Sequence, residues 1–575
     1  MSGAESMSRR AFVAWLLAVA ACALALRLAF PTADPPWRAT VGVVWHDEGA
    51  WVHNARNRAL FGAWVQDAWN PMYVAPVFTA LEYASFAVFG VGVWQARLVS
   101  ELMGLASVLL VAFGVARLAG RVAGVFAGAL LATNYVYLMY NRAALMEATM
   151  VALMVASWYG YVRAQESARW GALAAACALL AYFSKAAAAF FVVALAVEAL
   201  AALWLRDAGN ERARTAARAT LAGLAGCGLI ALFVFVIPNW TEYRFYNWQM
   251  SVTRKPSYDL ASLRDRITWF PIAHDIFTRM WFVVFVGGIG ALGWLARFRR
   301  LTGPHRLLLL WIALGATELI LHDVGNERRF IFFIPPLVAV SAVVLGRDRT
   351  LVGQEVGGLS RRQALLALPI VIFALYVLAG ALVRLAFIYE IGPGVRWSAA
   401  TALVCTVLLY ATWPAAPKLL AERGWGVRDA ALLCALVAAG QIAQFGQWAA
   451  GRTYKNYQAS VALGKHLPTG TLVHGKLANG LSLENRIRPI FVGRGFGNYE
   501  DRKVRDDVRY ILTYIYPRVG YEGPVIEDVL QAYPNRRIIV TFDVAETTTG
   551  NDRAALIDKF GGVAGPGGGI GRARD

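Results

Sequence analysis

Four short runs gather charged residues where long apolar stretches end. Trp45-His46-Asp47-Glu48-Gly49-Ala50-Trp51 sets two adjacent carboxylates between tryptophans. Held near an apolar surface, such a pair suits a general base with a supporting acid or a metal contact. The same residues also read as a helix start, with Asp47 capping His53–Phe61 and Glu48 in its first turn. Asn141-Arg142-Ala143-Ala144-Leu145-Met146-Glu147 offers a cation and an acid, plainly read as an ion pair at a membrane edge. Lys185, in Tyr182-Phe183-Ser184-Lys185, either snorkels or meets an anion. His322-Asp323-Val324-Gly325-Asn326-Glu327-Arg328-Arg329-Phe330 places two arginines in a short turn. Together these runs supply one or two carboxylates and a ring of cations. Arg and Lys bind phosphate by charge-assisted hydrogen bonds, and a carboxylate facing that phosphate suits deprotonation of a hydroxyl nucleophile. The combination describes glycosyl transfer from a polyprenyl-phosphate sugar.

The elements that must position these groups are membrane spans. The chain has 575 residues, 58% hydrophobic and only 16% charged, with mean hydropathy +0.48. Soluble domains are roughly 45–50% apolar and about 25% charged, so a soluble enzyme, a disordered chain and a nucleic-acid-binding module are excluded as the main reading. The net charge of +19 fits the Lys/Arg bias of cytoplasmic loops. A first apolar run, Ala11 to Phe30, follows Arg9 and Arg10 and reads as a span with its N-terminus inside. Further runs are centred near residues 105, 131, 153, 178, 195, 228, 289, 314, 338, 375, 407 and 439. At about 20 residues per span this makes about thirteen helices. Basic loops alternate accordingly, and the four charged runs fall on the external side.

Residues 31–93 form a first external loop rich in Trp and Tyr. Its apolar part, Pro71–Gly90, carries Glu82 and reads as juxtamembrane helix. A second large external loop covers about 239–280. The transmembrane unit ends near 451. Residues 452–575 alternate strand-like segments (Thr471–His474, Pro489–Val492, Val508–Tyr514, Arg537–Phe542) with helix-like ones (Val461–His466, Ile526–Ala532). They read as an external α/β domain with a Gly-rich tail, shaping access of an acceptor without adding groups to the chemistry. The five cysteines lie in apolar runs without metal-ligand spacing. A transporter or flippase is the reading from another class, and a surface-polysaccharide ligase or polymerase is a third. A transporter needs polar groups lining a midplane path. Arg27 and Glu198 are the main charges inside runs, each near an end, and there is no internal repeat.

His46-Asp47-Glu48-Gly49-Ala50-Trp51, followed by Asn54-Ala55-Arg56-Asn57, resembles the first-loop Asp-Glu motif of GT-C glycosyltransferases. The nearest resemblance is to the PMT type, which includes bacterial protein O-mannosyltransferases and the lipid A aminoarabinose transferase. Trp69-Asn70-Pro71-Met72-Tyr73, Phe89-Gly90 and Ala96-Arg97-Leu98 are similar to its juxtamembrane stretch, with Asn70, Met72 and Val99 departing from the usual residues. Arg142 with Glu147, Ser184-Lys185-Ala186, and Glu327-Arg328-Arg329-Phe330 with Pro335-Pro336 resemble three later elements. The resemblance covers roughly residues 8–345.

It implies an inverting transfer from a polyprenyl-phosphate sugar to a hydroxyl of a lipid A-like lipid, a glycan or a protein. Asp47 and Glu48 would be catalytic, with Asp47 the base. Lys185, Arg328, Arg329 and Arg142 would hold the donor phosphate. Glu147, His46, Glu82 and His322 would orient substrate. The family is divided on a divalent metal, for which Asp47, Glu48 and His53 are weak candidate ligands, and no other cofactor is implied. The place implied is the inner membrane of a bacterium, with bilayer and lipid donor as partners and no nucleic acid.

Overall fold

The computed structural model describes residues 7–36, 45–205, 211–249, 279–321, 327–346, 427–492, 500–516, 525–545 and 552–561, with isolated positions between. His322, most of the loop 239–280 and most residues around the runs near 375 and 407 lie outside them.

The membrane-embedded part is helical. Ser8 starts α1 (Arg9–Leu28) by accepting from the Ala11 amide at 3.1 Å. The first loop carries α2 (His46–Trp51), α3 (His53–Phe61) and α4 (Pro76–Phe89). Asp47 does not cap α3, contrary to the sequence reading. It lies in the first turn of α2, and Val52 precedes α3 without a side-chain cap. Gly62 and Gly90, at φ 77° and 81°, end α3 and α4 in backbone conformations that glycine adopts freely.

The bundle continues with α5 (Val93–Ala119), α6 (Arg121–Thr133), α7 (Tyr135–Asn141), α8 (Met146–Ala164), α9 (Arg169–Ser184), α10 (Ala189–Trp204) and α11 (Glu211–Ala231). Helices Trp281–Leu295, Gly303–Leu321, Ile334–Gly346 and Val427–Ala450 complete it among the described residues. Six helices there are long and apolar enough to cross a membrane, or seven if α6 and α7, bent by 62°, are one span. Asn134 makes that bend. Its side chain accepts from the Tyr137 amide at 2.9 Å and restarts the helix in a new direction.

The ends of the bundle differ in chemistry. At one, Arg121 bonds the Met7 carbonyl, and Glu166 bridges Arg117 and Arg163. At the other, reached by α1, α5 and α8 at a rise of about 1.5 Å per residue, lie Arg142, Asp47 and Glu147. The two charges inside runs are both partnered. Arg27 bonds Asn141 at 3.1 Å, and Glu198 takes two 2.9 Å bonds from Arg306.

Residues 455–558 carry helix Lys455–His466 and a five-stranded sheet in the order β2-β1-β3-β5-β4. β1 (Leu472–His474), β2 (Arg488–Ile490) and β3 (Tyr510–Tyr516) are parallel, and β5 (Asp552–Asp558) runs antiparallel between β3 and β4 (Arg537–Val544). The sequence reading missed β5.

The sheet is bound to the first loop through backbone. Arg56 donates to the carbonyls of Ser482, Asn485 and Ile487 at 3.0, 3.0 and 2.9 Å. The Asp67 carboxylate accepts from the Phe491 amide at 2.9 Å, and Trp69 stacks on Phe491 at 4.5 Å. Asp34 accepts from Thr453 and from the amides of Lys455 and Asn456, starting the helix that leads into the sheet. Helix Lys476–Gly480 lies directly on α2. A Cβ at Gly49 would stand 1.9 Å from the Asn479 carbonyl oxygen, and one at Gly480 would stand 2.8 Å from His46. Gly49→Ala is therefore expected to push the two helices apart, costing about 1–3 kcal/mol as overpacking does. The check is thermal unfolding of the purified protein, where a midpoint equal to that of the parent would mean the contact is loose.

Candidate functional site

Among the described residues, two carboxylates and four cations meet where α2, the start of α8, the α9–α10 turn, the segment before Ile334 and helix Lys476–Gly480 converge. Arg328 joins the carboxylates, donating to Asp47 Oδ2 at 2.9 Å with its Nε 3.7 Å from Glu147 Oε1. Lys185 bonds Glu147 directly. Buried Arg329 acts on both Glu147 and Lys185 electrostatically. Lys476 Nζ stands 2.9 Å from Asp47 Oδ1, and His46 Nε2 is 3.7 Å from the same oxygen.

The local sequence explains each position. Lys185 is the extended residue that breaks α9 from α10, so its side chain leaves the bundle axis at the rim. Glu147 sits in the first turn of α8, where the helix dipole favours an acid. Gly475, at φ 128°, lets β1 turn over Leu512 into the helix that carries Lys476. Burial pushes the Asp47 carboxyl up, but Lys476, Arg328 and His46 outweigh it and hold the group well below the usual carboxylate range.

The remaining sequence candidates lie elsewhere. Glu48 faces away from Asp47. Arg97 grips both its oxygens at 2.8 Å, and the Ala144 amide donates at 2.9 Å. Arg97 also bonds the carbonyls of Pro31 and Ala33, so its pair with Glu48 ties the loop to the bundle. Glu82 is fully buried close to Glu48, with no hydrogen-bond partner on either oxygen among the described residues. Burial and then Glu48 push its carboxyl well above its ordinary value. Arg142 is not in the cation ring. It donates to the carbonyls of Leu26, Arg27 and Phe30 at the end of α1 and lies 4.7 Å over Trp448. There it satisfies carbonyls that a helix end leaves unpaired. His322 is outside the described residues.

The candidate metal ligands do not fit a metal. His53 is bonded to Asp67 at 2.9 Å and to Asn479 and Asn57 at 3.0 Å each. Glu48 is held by Arg97, and Asp47 by Arg328 and Lys476. Among the described residues, no three His, Cys, Asp or Glu side chains converge on one point.

The sequence reading gave residues 452–575 no part in this cluster, yet the structure places Lys476 against Asp47. In the sequence it is one basic residue among many, far from Asp47, and no local signal singles it out. Arg97 was legible only as part of a juxtamembrane resemblance, and Asp67 not at all.

A family model described as dolichyl-phosphate-mannose-protein mannosyltransferase matches residues 73–240, which include Glu147 and Lys185. No curated protein matches the sequence. The structure of ArnT from Cupriavidus metallidurans bound to undecaprenyl phosphate is 18% identical, with TM-score 0.54, covering 96% of this chain and 98% of that one. The apo structure of the same protein gives 17%, TM-score 0.56 and the same coverage. At such identities the likeness speaks for fold, and the fold extends over both the helical bundle and the C-terminal sheet. The GT-C resemblance read from the motifs is thus matched both by a family model and by a fold. The several apolar helices fit a polytopic membrane protein.

Proposed function

We propose that the chain is an inverting glycosyltransferase that moves a sugar from a polyprenyl-phosphate donor to a hydroxyl of a lipid, glycan or protein on the external face of a bacterial inner membrane. The observation that carries this reading is Arg328, which spans Asp47 and Glu147 beside Lys185 and Arg329 at one end of the bundle. Nucleotide sugars stay in the cytoplasm, so an external site draws its sugar from a donor that has crossed on a lipid. Undecaprenyl phosphate bound to the fold-related ArnT supports that donor class.

Asp47 takes the proton of the acceptor hydroxyl as its oxygen attacks the anomeric carbon from the face opposite the phosphate. The bond from that carbon to the phosphate oxygen breaks, and the electron pair leaves with the phosphate. Arg328, Lys185 and Arg329 neutralise the charge that develops there, in a site already arranged for it. Glu147 keeps Lys185 and Arg328 aimed before the donor arrives. Residues 1–451 form the catalytic unit in this reading, with about thirteen helices of roughly 20 residues each, and residues 452–575 a periplasmic domain.

Mass spectrometry of envelope lipids, glycans and proteins from cells with and without the gene tests the function. One glycosylated species should vanish with the gene while its unmodified form accumulates. Identical envelopes under conditions where the protein is made would sink the reading. Lys185→Met should weaken binding of undecaprenyl phosphate about tenfold or more, since a charged hydrogen bond is worth roughly 1.5–3 kcal/mol. Native mass spectrometry measures this, and an unchanged affinity would assign Lys185 to holding Glu147 alone.

A further inference from the structure

We infer that Lys476 is a positioning residue for Asp47: carried by the C-terminal sheet, it holds one carboxylate oxygen of Asp47 until the phosphate of the lipid donor draws it away. The inference rests on the donor class proposed above. Both Asp47 oxygens are engaged in the structure, Oδ2 by Arg328 and Oδ1 by Lys476, each at 2.9 Å. A carboxylate so clamped is fixed in plane and direction. It is also a poor proton acceptor, because an efficient general base has its pKa near the working pH. Each oxygen keeps a second lone pair that a hydroxyl can reach, but Asp47 takes its proton readily only once one of the two cations has turned aside.

The structure singles out Lys476. Arg328 is a planar fork that also reaches toward Glu147 and is 13% exposed in its side chain. Lys476 offers one ammonium on a flexible stem and is 19% exposed. A phosphate lodged beside Lys185 and Arg328 gives that ammonium a second anion to move to. Donor binding then frees Oδ1 for the acceptor and lets the carboxyl rise toward its working range.

The backbone under Lys476 is built for this contact. Gly475 turns the chain over Leu512, and Gly480 and Gly49 let the two short helices touch without side chains between them. Asn479 bonds His53 Nδ1 at 3.0 Å, which pins the same helix to α3. Among the described residues, the charged groups around Asp47 are Lys476 from the sheet side, Arg328 from the segment before Ile334, and His46 on α2 itself. Glu147, Lys185 and Arg329 form the next ring, and Glu48 is turned to Arg97.

Dicyclohexylcarbodiimide modifies only protonated carboxyls, so labelling of the Asp47 peptide, read by mass spectrometry on the full-length protein in nanodiscs, reports the state of Asp47 without any turnover. At about pH 5, labelling of Lys476→Met should exceed that of the parent about tenfold, the equivalent of one pKa unit. Lys476→Gln should behave like Lys476→Met, and Lys476→Arg should return labelling toward the parent level. Undecaprenyl phosphate should raise labelling of the parent by a larger factor than that of Lys476→Met, where only the field of the phosphate acts, and an equal factor in both overturns the release. Equal labelling of the parent and both neutral variants, with undecaprenyl phosphate still bound by all, overturns the inference. Undecaprenyl phosphate that binds without changing the parent's labelling overturns the release. Undecaprenyl phosphate that does not bind the parent at all overturns the donor reading instead, and the Lys476 comparison is still read.

Discussion

Asp47→Asn is expected to reduce transfer about 10²–10⁴-fold, the usual contribution of a general base. Asn keeps the size and shape of the side chain, and Asp47 makes no cap whose loss would unravel α2 or α3. The amide still offers an oxygen to Arg328. Its NH2 group must then face the Lys476 ammonium, donor against donor, so that cation swings away without leaving a buried charge behind. The variant should therefore insert and bind undecaprenyl phosphate much as the parent does while failing to make product. Complementation of a gene deletion, with the envelope product followed by mass spectrometry, measures this. Product restored to the parent level would remove Asp47 from the chemistry. Glu48 could not inherit the role without releasing Arg97, and Glu147 would become the carboxylate to test.

The second large effect is on folding. Arg97→Met should destabilise the protein by about 3–5 kcal/mol, because removing one partner of a buried ion pair strands the other. Glu48 would keep only the Ala144 amide and would face Glu82 in an apolar surrounding. The carbonyls of Pro31 and Ala33 would lose their donor too. The double variant Arg97→Met, Glu48→Gln should regain part of the loss, since no full charge is then stranded. Yield and thermal midpoint in detergent give the measurement. A single variant as stable as the parent would mean that Glu48 takes up a proton at no cost.

The sequence carried the bundle better than the site. Apolar runs announce helices because backbone groups in lipid must be satisfied within the segment, and the charges at their ends mark the rims. Lys185, Glu147, Arg328 and Asp47 were legible on that ground, since polar groups at a rim are few. What separates Asp47 from its neighbour Glu48 was not legible. The two differ in the distant groups each one meets, Arg97 for Glu48 and Arg328 with Lys476 for Asp47, and these are set by packing rather than by local pattern. Arg142 misled through spacing. Five residues before Glu147 it looks like that acid's partner, yet α7 ends at Asn141 and the turn after it sends Arg142 back to α1. β5 was missed because Asp552-Arg553-Ala554-Ala555-Leu556-Ile557-Asp558 has a single β-branched residue and derives its order from pairing on both sides.

The contact between Gly49 and Asn479 also has a meaning in time. The ribosome delivers α2 long before residues 476–491. Until those late residues emerge, Arg56 lacks the carbonyls of Ser482, Asn485 and Ile487, and Asp47 has no Lys476. A chain interrupted before that point carries Asp47 on a loop that Arg56 and Lys476 do not yet brace. The cluster around Asp47 is thus completed only after residues 476–491 have been made, and a nascent chain whose first helices are already inserted lacks the Lys476 contact until then.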